Sequence, residues 1–205
     1  MKFHEKASLI AGAALLLGAC ASPPTLYYTL AAPSTPPVAA MPAAAAPLWI
    51  EVAPLAVPER LARPQLVVRS AGDATRSQVE ILEQHRWASS FENELRDALA
   101  SGVATRLGAL DGTRGGRPAS APVTRIAVQV RQFDAVEDTR VDASFGWTVR
   151  RPDPAPVLVC QASLSEPVTA AGIDALALAA QRLAANTAAA IARSMAGPQP
   201  NPGCS

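Results

Sequence analysis

The sequence has few of the side chains that metal and catalytic sites commonly use. It contains two histidines, and His85 is the only one beyond the first 20 residues. A single imidazole cannot form a multi-histidine metal site, and it leaves at most one histidine for acid–base catalysis. The sequence also lacks a Gly-x-Ser-x-Gly elbow, a Walker loop and a dinucleotide-binding glycine motif. We therefore predict no metal site, no catalytic residues and no enzymatic activity.

Carboxylates do occur in two short groups, which are the remaining candidates for acid–base chemistry. The groups are Glu92, Glu94 and Asp97, and Asp134, Glu137 and Asp138. We expect the first on the solvent side of a helix and the second in a tight connection between strands. Both are therefore interpreted as solvated charge.

Lysine is almost absent, because Lys2 and Lys6 are the only two and every later basic residue is arginine. The whole chain has 18 basic and 17 acidic residues. Residues 1–19 hold both lysines and one glutamate, so the rest of the chain is formally neutral. A nucleic-acid partner requires a concentrated positive field, which this composition does not provide. We predict no nucleic-acid binding.

The N-terminus has an apolar run that is too short to span a membrane. The run Ala7–Leu17 follows two lysines and falls short of the roughly 20 residues that a membrane-spanning helix needs. The next residues, Leu17-Gly18-Ala19-Cys20, resemble the bacterial lipobox. We predict a signal peptide over 1–19 and a diacylglycerol and fatty acyl chains such as palmitate on Cys20, with no cofactor beyond this lipid. An ordinary secretory signal is the alternative.

The chain beyond the lipid site divides into a tether, a linker, one domain and a tail. Residues 20–25 form the lipidated tether, and residues 26–47 contain a first strand and a linker rich in proline and alanine. We expect a single domain over 48–196, because this length suits one core of ordinary size. Residues 197–205 are the C-terminal tail.

Periodicity predicts strands and two helices in the domain. Alternating apolar and polar side chains indicate strands around residues 126–130, 141–149 and 157–164, and a hairpin over 65–82. Ser89 with Glu92 resembles a capping box before a helix that ends near 107 or 110. An alanine-rich helix follows over about 172–195. This order favours an α+β domain with a largely antiparallel sheet and both helices on one face.

Two cysteines remain after Cys20 is assigned to lipid. Cys160 and Cys204 form an even pair, and a disulfide between them would persist in an oxidising compartment. The alternative is that Cys160 is a free thiol in the core, since it lies on the inward face of a predicted strand. Both interpretations stay open at the level of the sequence.

A histidine, a guanidinium and an indole lie together before the first helix. His85, Arg86 and Trp87 could contact a partner, because Trp and Arg are enriched at binding hot spots. The alternative is that Trp87 packs beneath the helix start and Arg86 faces water. Exposed edge strands are further candidates for partner contact.

An ordered set of short segments resembles the PqiC/YmbA-type auxiliary lipoproteins of ABC-linked lipid transport. The segments are Tyr28-Thr29-Leu30, Arg63-Pro64-Gln65-Leu66-Val67, Arg69-Ser70, Arg86-Trp87-Ala88 and Phe133-Asp134. The resemblance implies an outer-membrane lipoprotein on the periplasmic face. It also implies a partner with an MCE domain in a phospholipid transport system, and it leaves a homo-oligomer open. Residue Ala21 after the lipidated cysteine agrees with outer-membrane sorting.

Two other functional classes remain open. An assembly lipoprotein of another envelope machine, such as a secretion pilotin, would share the anchor and the inert domain. An envelope hydrolase would need a reactive serine or cysteine near His85.

Overall fold

The computed structural model describes residues 23–32, 47–71, 77–152, 155–196 and 204. The predicted signal peptide, Cys20 and most of the linker and tail lie outside the described residues. Within them are the strands β1 (Leu26–Tyr28), β2 (Trp49–Val52), β3 (Gln65–Val68), β4 (Glu80–Trp87), β5 (Leu110–Asp111), β6 (Val123–Val136), β7 (Arg140–Arg150) and β8 (Leu158–Pro167), and the helices α1 (Phe91–Leu107) and α2 (Ile173–Ala196).

A five-stranded sheet forms the larger half of the domain, in the order β5-β2-β6-β7-β8. β6, β7 and β8 pair antiparallel, whereas β2 runs parallel to both β5 and β6. The alternation in β7 sorts its side chains between the two faces. Its buried set is Val141, Ala143, Phe145, Trp147 and Val149, as the period of two predicts. The face with these side chains carries the core.

Helix α1 begins one residue later than its capping pattern predicts. Ser90 is the N-cap, and its hydroxyl oxygen accepts a hydrogen bond from the Asn93 backbone N–H. The Ser89 hydroxyl instead donates to Glu94 Oε1 at 3.0 Å. The prediction of a box from Ser89 to Glu92 is therefore wrong by one position. Gly108, with φ of 60°, ends the helix in the left-handed conformation that suits glycine.

Helix α2 packs against α1 and the five-stranded sheet. A Cβ built on Gly102 of α1 would lie 2.7 Å from Ala188 Cβ, so these small residues allow a close helix–helix approach. Trp147 Nε1 donates to Ser194 Oγ at 3.1 Å inside the core. α2 has the length and mean hydropathy of a membrane-spanning helix. Its buried leucines and alanines account for that hydropathy, because they fill the core of the domain.

A three-stranded sheet, in the order β1-β4-β3, forms the smaller half. β3 and β4 make the predicted antiparallel hairpin, although β4 extends to Trp87. β1 pairs parallel with β4. The two sheets meet where Arg69 donates its backbone N–H to Ala135 O and accepts from Glu137 N.

The α+β class and the two helices are confirmed. The strands divide between two sheets of mixed direction, a division that single-strand periodicity does not reveal.

Candidate functional site

The strand nearest the predicted lipid site is built into the domain. The backbone N–H of Ala88 donates to Tyr28 O at 2.7 Å, and β1 pairs with β4 from Leu26 to Tyr28. Leu30, two residues later, is only 1% exposed and belongs to the core. The N-terminal segment therefore enters the fold immediately after the tether.

A partly buried tyrosine ties β1 to β4 and α2 through its hydroxyl. Tyr28 Oη donates to Asp174 Oδ1 at 2.7 Å and lies 2.8 Å from His85 Nδ1. Because the tyrosine proton is directed to the carboxylate, His85 Nδ1 is the donor in the second bond. The two rings are stacked with centroids 5.9 Å apart. Burial and then the Asp174 hydrogen bond raise the pKa of Tyr28 above its usual value, so the phenol stays protonated.

Two further side chains hold the backbone after β1. Glu94 Oε2 accepts from Thr29 Oγ1 at 2.8 Å and from the Leu30 backbone N–H at 3.2 Å. Gln181 Nε2 donates to the carbonyl oxygens of Thr29 and Ala31. Together we call Tyr28, His85, Glu94, Asp174 and Gln181 the N-terminal clamp. It joins the first strand to both helices.

The three residues predicted as a partner contact lie in different environments. Trp87 is 5% exposed and packs with Phe91, whose ring centroid is 6.0 Å away. It is a core residue and offers no surface to a partner. Arg86 is half-exposed and its guanidinium contacts Glu83. His85 is part of the N-terminal clamp, so the three side chains do not make one contact surface.

Several of the carboxylates interpreted as solvated charge have structural partners. Glu94 belongs to the N-terminal clamp because its position on α1 faces Thr29 rather than open solvent. Asp134 lies within β6 and accepts from Arg69 Nε at 2.8 and 3.0 Å, which links the two sheets. Asp97 pairs with Arg114. The interpretation of solvated charge was therefore wrong for Glu94 and Asp134, since it ignored contacts between distant segments. The exposed ion pair of Asp97 with Arg114 agrees with that interpretation.

Glu137 lies beside other acids at the junction of the two sheets. Burial, followed by repulsion from Glu80 and Asp138, raises its pKa above the usual value. Asp138 accepts the Gly172 backbone N–H and has a φ of 52°. Among the described residues, no group of three or more histidine, cysteine or acidic side chains could hold a metal ion.

The five-stranded sheet leaves one face uncovered among the described residues. In the middle of this face the outward side chains are mostly small or uncharged: Ala127, Gln129, Arg131, Ser144, Thr148, Val159, Gln161 and Ser163. Charged side chains lie toward its ends: Arg125, Arg150 and Asp142. Shallow grooves of about 510 and 380 Å³ follow this face. We call these eight residues the open sheet face.

An arginine side chain lies along the surface in the middle of the open sheet face. Arg131 lies at the irregularity in β6, and its Nη1 donates to Gln161 Oε1 at 3.0 Å. A Cβ on Gly146 would lie 3.2 Å from Arg131 Nε. Glycine at this position lets the guanidinium lie on the β7 backbone, so it keeps the face flat.

The enclosed cavity near β3 is too small to hold a lipid. It has a volume of about 20 Å³ and is lined by apolar side chains that include Leu66, Trp87 and Leu176. This volume suits about one water molecule, whereas ligand sites typically have about 300–1,000 Å³. We interpret it as a packing void.

The two remaining cysteines lie together at the edge of β8. Cys160 and Cys204 are joined by a disulfide, and Cys204 also forms an antiparallel bridge with Cys160 through the backbone. Cys204 thus covers part of an otherwise open strand edge. Sequence spacing alone could not place Cys204 there.

Comparisons with known proteins give a family and a fold. The family described as "ABC-type transport auxiliary lipoprotein component" matches residues 28–192. A crystal structure of an uncharacterized protein has a TM-score of 0.64 and 22% identity, and the match covers 85% of this chain and 100% of that one. Protein XCC0632 from Xanthomonas campestris, of family DUF330, has a TM-score of 0.55 and 12% identity, with 84% and 85% covered. These identities show the fold alone. No curated protein is significantly similar.

Proposed function

The chain belongs to the family of ABC-type transport auxiliary lipoprotein components, and from this we propose a more specific role. The protein is a non-enzymatic docking subunit of a system that moves phospholipids between the two membranes of the envelope. It is anchored on the periplasmic face of the outer membrane by the lipid on Cys20. Its partner is an MCE-domain protein that forms the conduit.

The open sheet face is the observation that carries the docking role. An antiparallel sheet can face water on one side, but the shallow grooves across three strands, with few charged side chains between them, also suit contact with another protein. Arg131 supplies a guanidinium at its centre, and arginine is enriched at the centres of interfaces. We propose this face, in place of the segment His85–Trp87, as the contact with the conduit protein.

The chemistry of the described residues supports a binding role over catalysis. His85 Nδ1 is engaged by Tyr28, and Cys160 and Cys204 are joined in a disulfide. An acyl-transfer site needs a free nucleophile within hydrogen-bond reach of its base. The apolar void near β3 is also too small for a lipid. The domain therefore acts through its position and its surface.

Assembly of several copies would suit such a docking role. A conduit with rotational symmetry presents repeated binding sites, and copies of this domain could occupy them as a homo-oligomer. Cross-linking with mass determination of the detergent-extracted protein tests this assembly. A single mass equal to that of the monomer would contradict it.

Site-specific photo-crosslinking in intact envelopes tests the docking proposal. A photoreactive residue at Gln129 or Gln161 is expected to capture the MCE-domain protein. The matched control is Ser101, which is exposed on α1 on the helical side of the domain. Capture from Ser101 alone, or capture of secretion components from Gln129 and Gln161, would contradict the proposed partner.

A charge variant tests the same face without a cross-linker. Ala127→Glu is expected to reduce co-purification of the conduit protein, because an unpaired carboxylate would be buried in the interface. Ser101→Glu is the control for added charge. Equal co-purification with both variants would remove the open sheet face from the proposal.

A further inference from the structure

The first strand begins very close to the proposed lipid anchor. Leu26 lies six residues after Cys20, so the connection spans at most about 20 Å when fully extended. The surface around the start of β1 therefore cannot move far from the bilayer. This step rests on the lipid anchor of the proposed function.

The N-terminal clamp fixes the first strand to the rest of the domain. Tyr28 is hydrogen-bonded to Asp174, and Leu30 is anchored in the core and bonded to Glu94. A strand held by side chains from β4, α1 and α2 cannot swing away from the domain. The surface beside β1 is therefore the part of the domain that the short connection keeps nearest to the anchor.

Three large apolar side chains are exposed on that surface. Leu26 is 45% exposed and Tyr27 is 66% exposed. Leu178 is 55% exposed and lies on the same stripe of α2 as Asp174 and Gln181. Because these two neighbours bond Tyr28, Thr29 and Ala31, Leu178 is placed beside the chain that follows β1.

We propose that Leu26, Tyr27 and Leu178 form a membrane-resting surface, which inserts into the phospholipid interface that holds the anchor. Tyrosine favours this interface, because its ring is apolar and its hydroxyl remains wet. Leucine side chains gain free energy when they leave water. The acyl chains supply the binding strength, whereas these three side chains fix the tilt of the domain.

A fixed tilt has a consequence for docking. The open sheet face lies in the same rigid domain as the membrane-resting surface, so its direction relative to the bilayer is set as well. A conduit protein that approaches along the membrane normal would meet one defined orientation. The membrane-resting surface thereby limits the rotation of the domain before docking, so less rotational entropy is lost when the conduit protein binds.

Spin-label accessibility on vesicles tests the surface directly. The lipidated full chain is reconstituted into vesicles of phosphatidylethanolamine and phosphatidylglycerol, with a nitroxide on Tyr27→Cys or Leu178→Cys. Without reductant the introduced cysteine is the reactive thiol, and mass determination checks that one label is present. Collisions with oxygen, which partitions into lipid, are compared with collisions with a water-soluble nickel chelate.

The expected result is a ratio of oxygen to nickel collisions that rises at least about twofold on vesicles, relative to the same label on an unlipidated Cys20→Ser chain in solution. The control is Val159→Cys, which is 48% exposed on β8 of the other sheet and should show no rise. Thermal unfolding checks that each labelled chain keeps its fold. These sites are exposed, so unfolding temperatures close to that of the parent are expected.

Two results would overturn the inference. One is an equal ratio at positions 27, 178 and 159, and the other is a loss of both kinds of collision at 27 and 178, which indicates contact with a second copy. Flotation separates failure of this inference from failure of the anchor. A chain that does not float with vesicles contradicts the lipid anchor itself, whereas a chain that floats with water-exposed labels contradicts only the membrane-resting surface.

Discussion

Different kinds of contact stabilise the five-stranded sheet and attach the first strand of the three-stranded sheet. The five-stranded sheet is stabilised by a continuous apolar core with α1 and α2, which includes Phe145 and Leu183 at 1% exposure or less. The three-stranded sheet attaches its first strand through the polar N-terminal clamp. The strands β3 and β4 also contribute Leu66, Val68 and Trp87 to the apolar core, so β1 is the strand whose attachment depends most on polar contacts. The small sheet would transmit the position of the proposed anchor to the domain.

This difference matters because the two kinds of contact respond to different conditions. Apolar burial scales with area and depends little on pH near neutrality. The hydrogen bonds of the N-terminal clamp can each be removed by the loss of a single polar atom. The raised pKa of Tyr28 makes its contribution to stability depend on pH. Substitutions in the two sheets should therefore lower the free energy of unfolding by different amounts.

The largest effect is expected in the core of the five-stranded sheet. Phe145→Ala should lower the free energy of unfolding by about 3–5 kcal/mol, because it removes a fully buried ring and leaves a cavity. Denaturant titration followed by circular dichroism measures the change. Val159→Ala, on the exposed side of β8, should cost less than about 1 kcal/mol. Equal losses from both variants would contradict the position of the core.

Loss of the disulfide should have the second-largest effect on the free energy of unfolding. Cys204→Ser is expected to lower stability by about 2–4 kcal/mol, since the bridge closes a loop with a sequence separation of 44. Reductant should lower the unfolding temperature of the parent by a similar amount and leave Cys204→Ser unchanged. Alkylation of the denatured, unreduced protein provides the independent check. Two modified thiols in that experiment would refute the bridge.

The N-terminal clamp should show a smaller and more local effect. Tyr28→Phe removes the hydroxyl that serves Asp174 and His85, and we expect a loss of about 1–2 kcal/mol. Amide hydrogen exchange should accelerate at Ala88, whose N–H binds Tyr28 O, and remain slow in β7. Tyr27→Phe is the control, because its ring is exposed. Equally faster amide exchange in both sheets would contradict a local effect of the N-terminal clamp.

High pH should weaken the N-terminal clamp in the same selective way. The pKa of Tyr28 is raised by burial and by Asp174, so the folded state keeps a proton that the unfolded state releases above about pH 10. This contribution to stability is complete below that pH and is lost as the pH rises through it. The loss should be smaller in Tyr28→Phe than in Tyr27→Phe. Identical alkaline profiles would contradict the clamp.

The smallest effect is expected at the junction of the sheets. Glu137 has a raised pKa because of burial and nearby Glu80 and Asp138, so its ionisation at neutral pH opposes folding. Glu137→Gln should stabilise the protein by up to about 0.5 kcal/mol at pH 7. The gain should disappear below the ordinary glutamate pKa, where both states are protonated. A loss of stability at pH 7 would show that the carboxylate has an unrecognised partner.

The elements of this fold with strong periodicity were predictable from sequence. β7 alternates over its full length, and α2 repeats apolar residues at helical spacing, so both were located to within a few residues. Alternation also identified the buried indole of Trp147. These signals are local, because each one follows from side chains within a single element.

Contacts between distant segments were not predictable from sequence. The parallel pairing of β1 with β4, the bonds from Glu94 to Leu30 and the position of Cys204 beside β8 all join residues that are far apart in the chain. Local patterns carry no information on such pairs. For that reason Glu94 was interpreted as solvated, and Trp87 remained a contact candidate until its packing with Phe91 was visible.

The central claim is that the small sheet carries a lipid anchor and the large sheet carries the docking surface. The most direct measurement is mass spectrometry of the N-terminal peptide from protein extracted with detergent from the cell envelope. We predict a peptide that begins at Cys20 and has the added mass of a diacylglycerol and an amide-linked acyl chain. A chain that begins elsewhere, or an unmodified Cys20, would contradict the account.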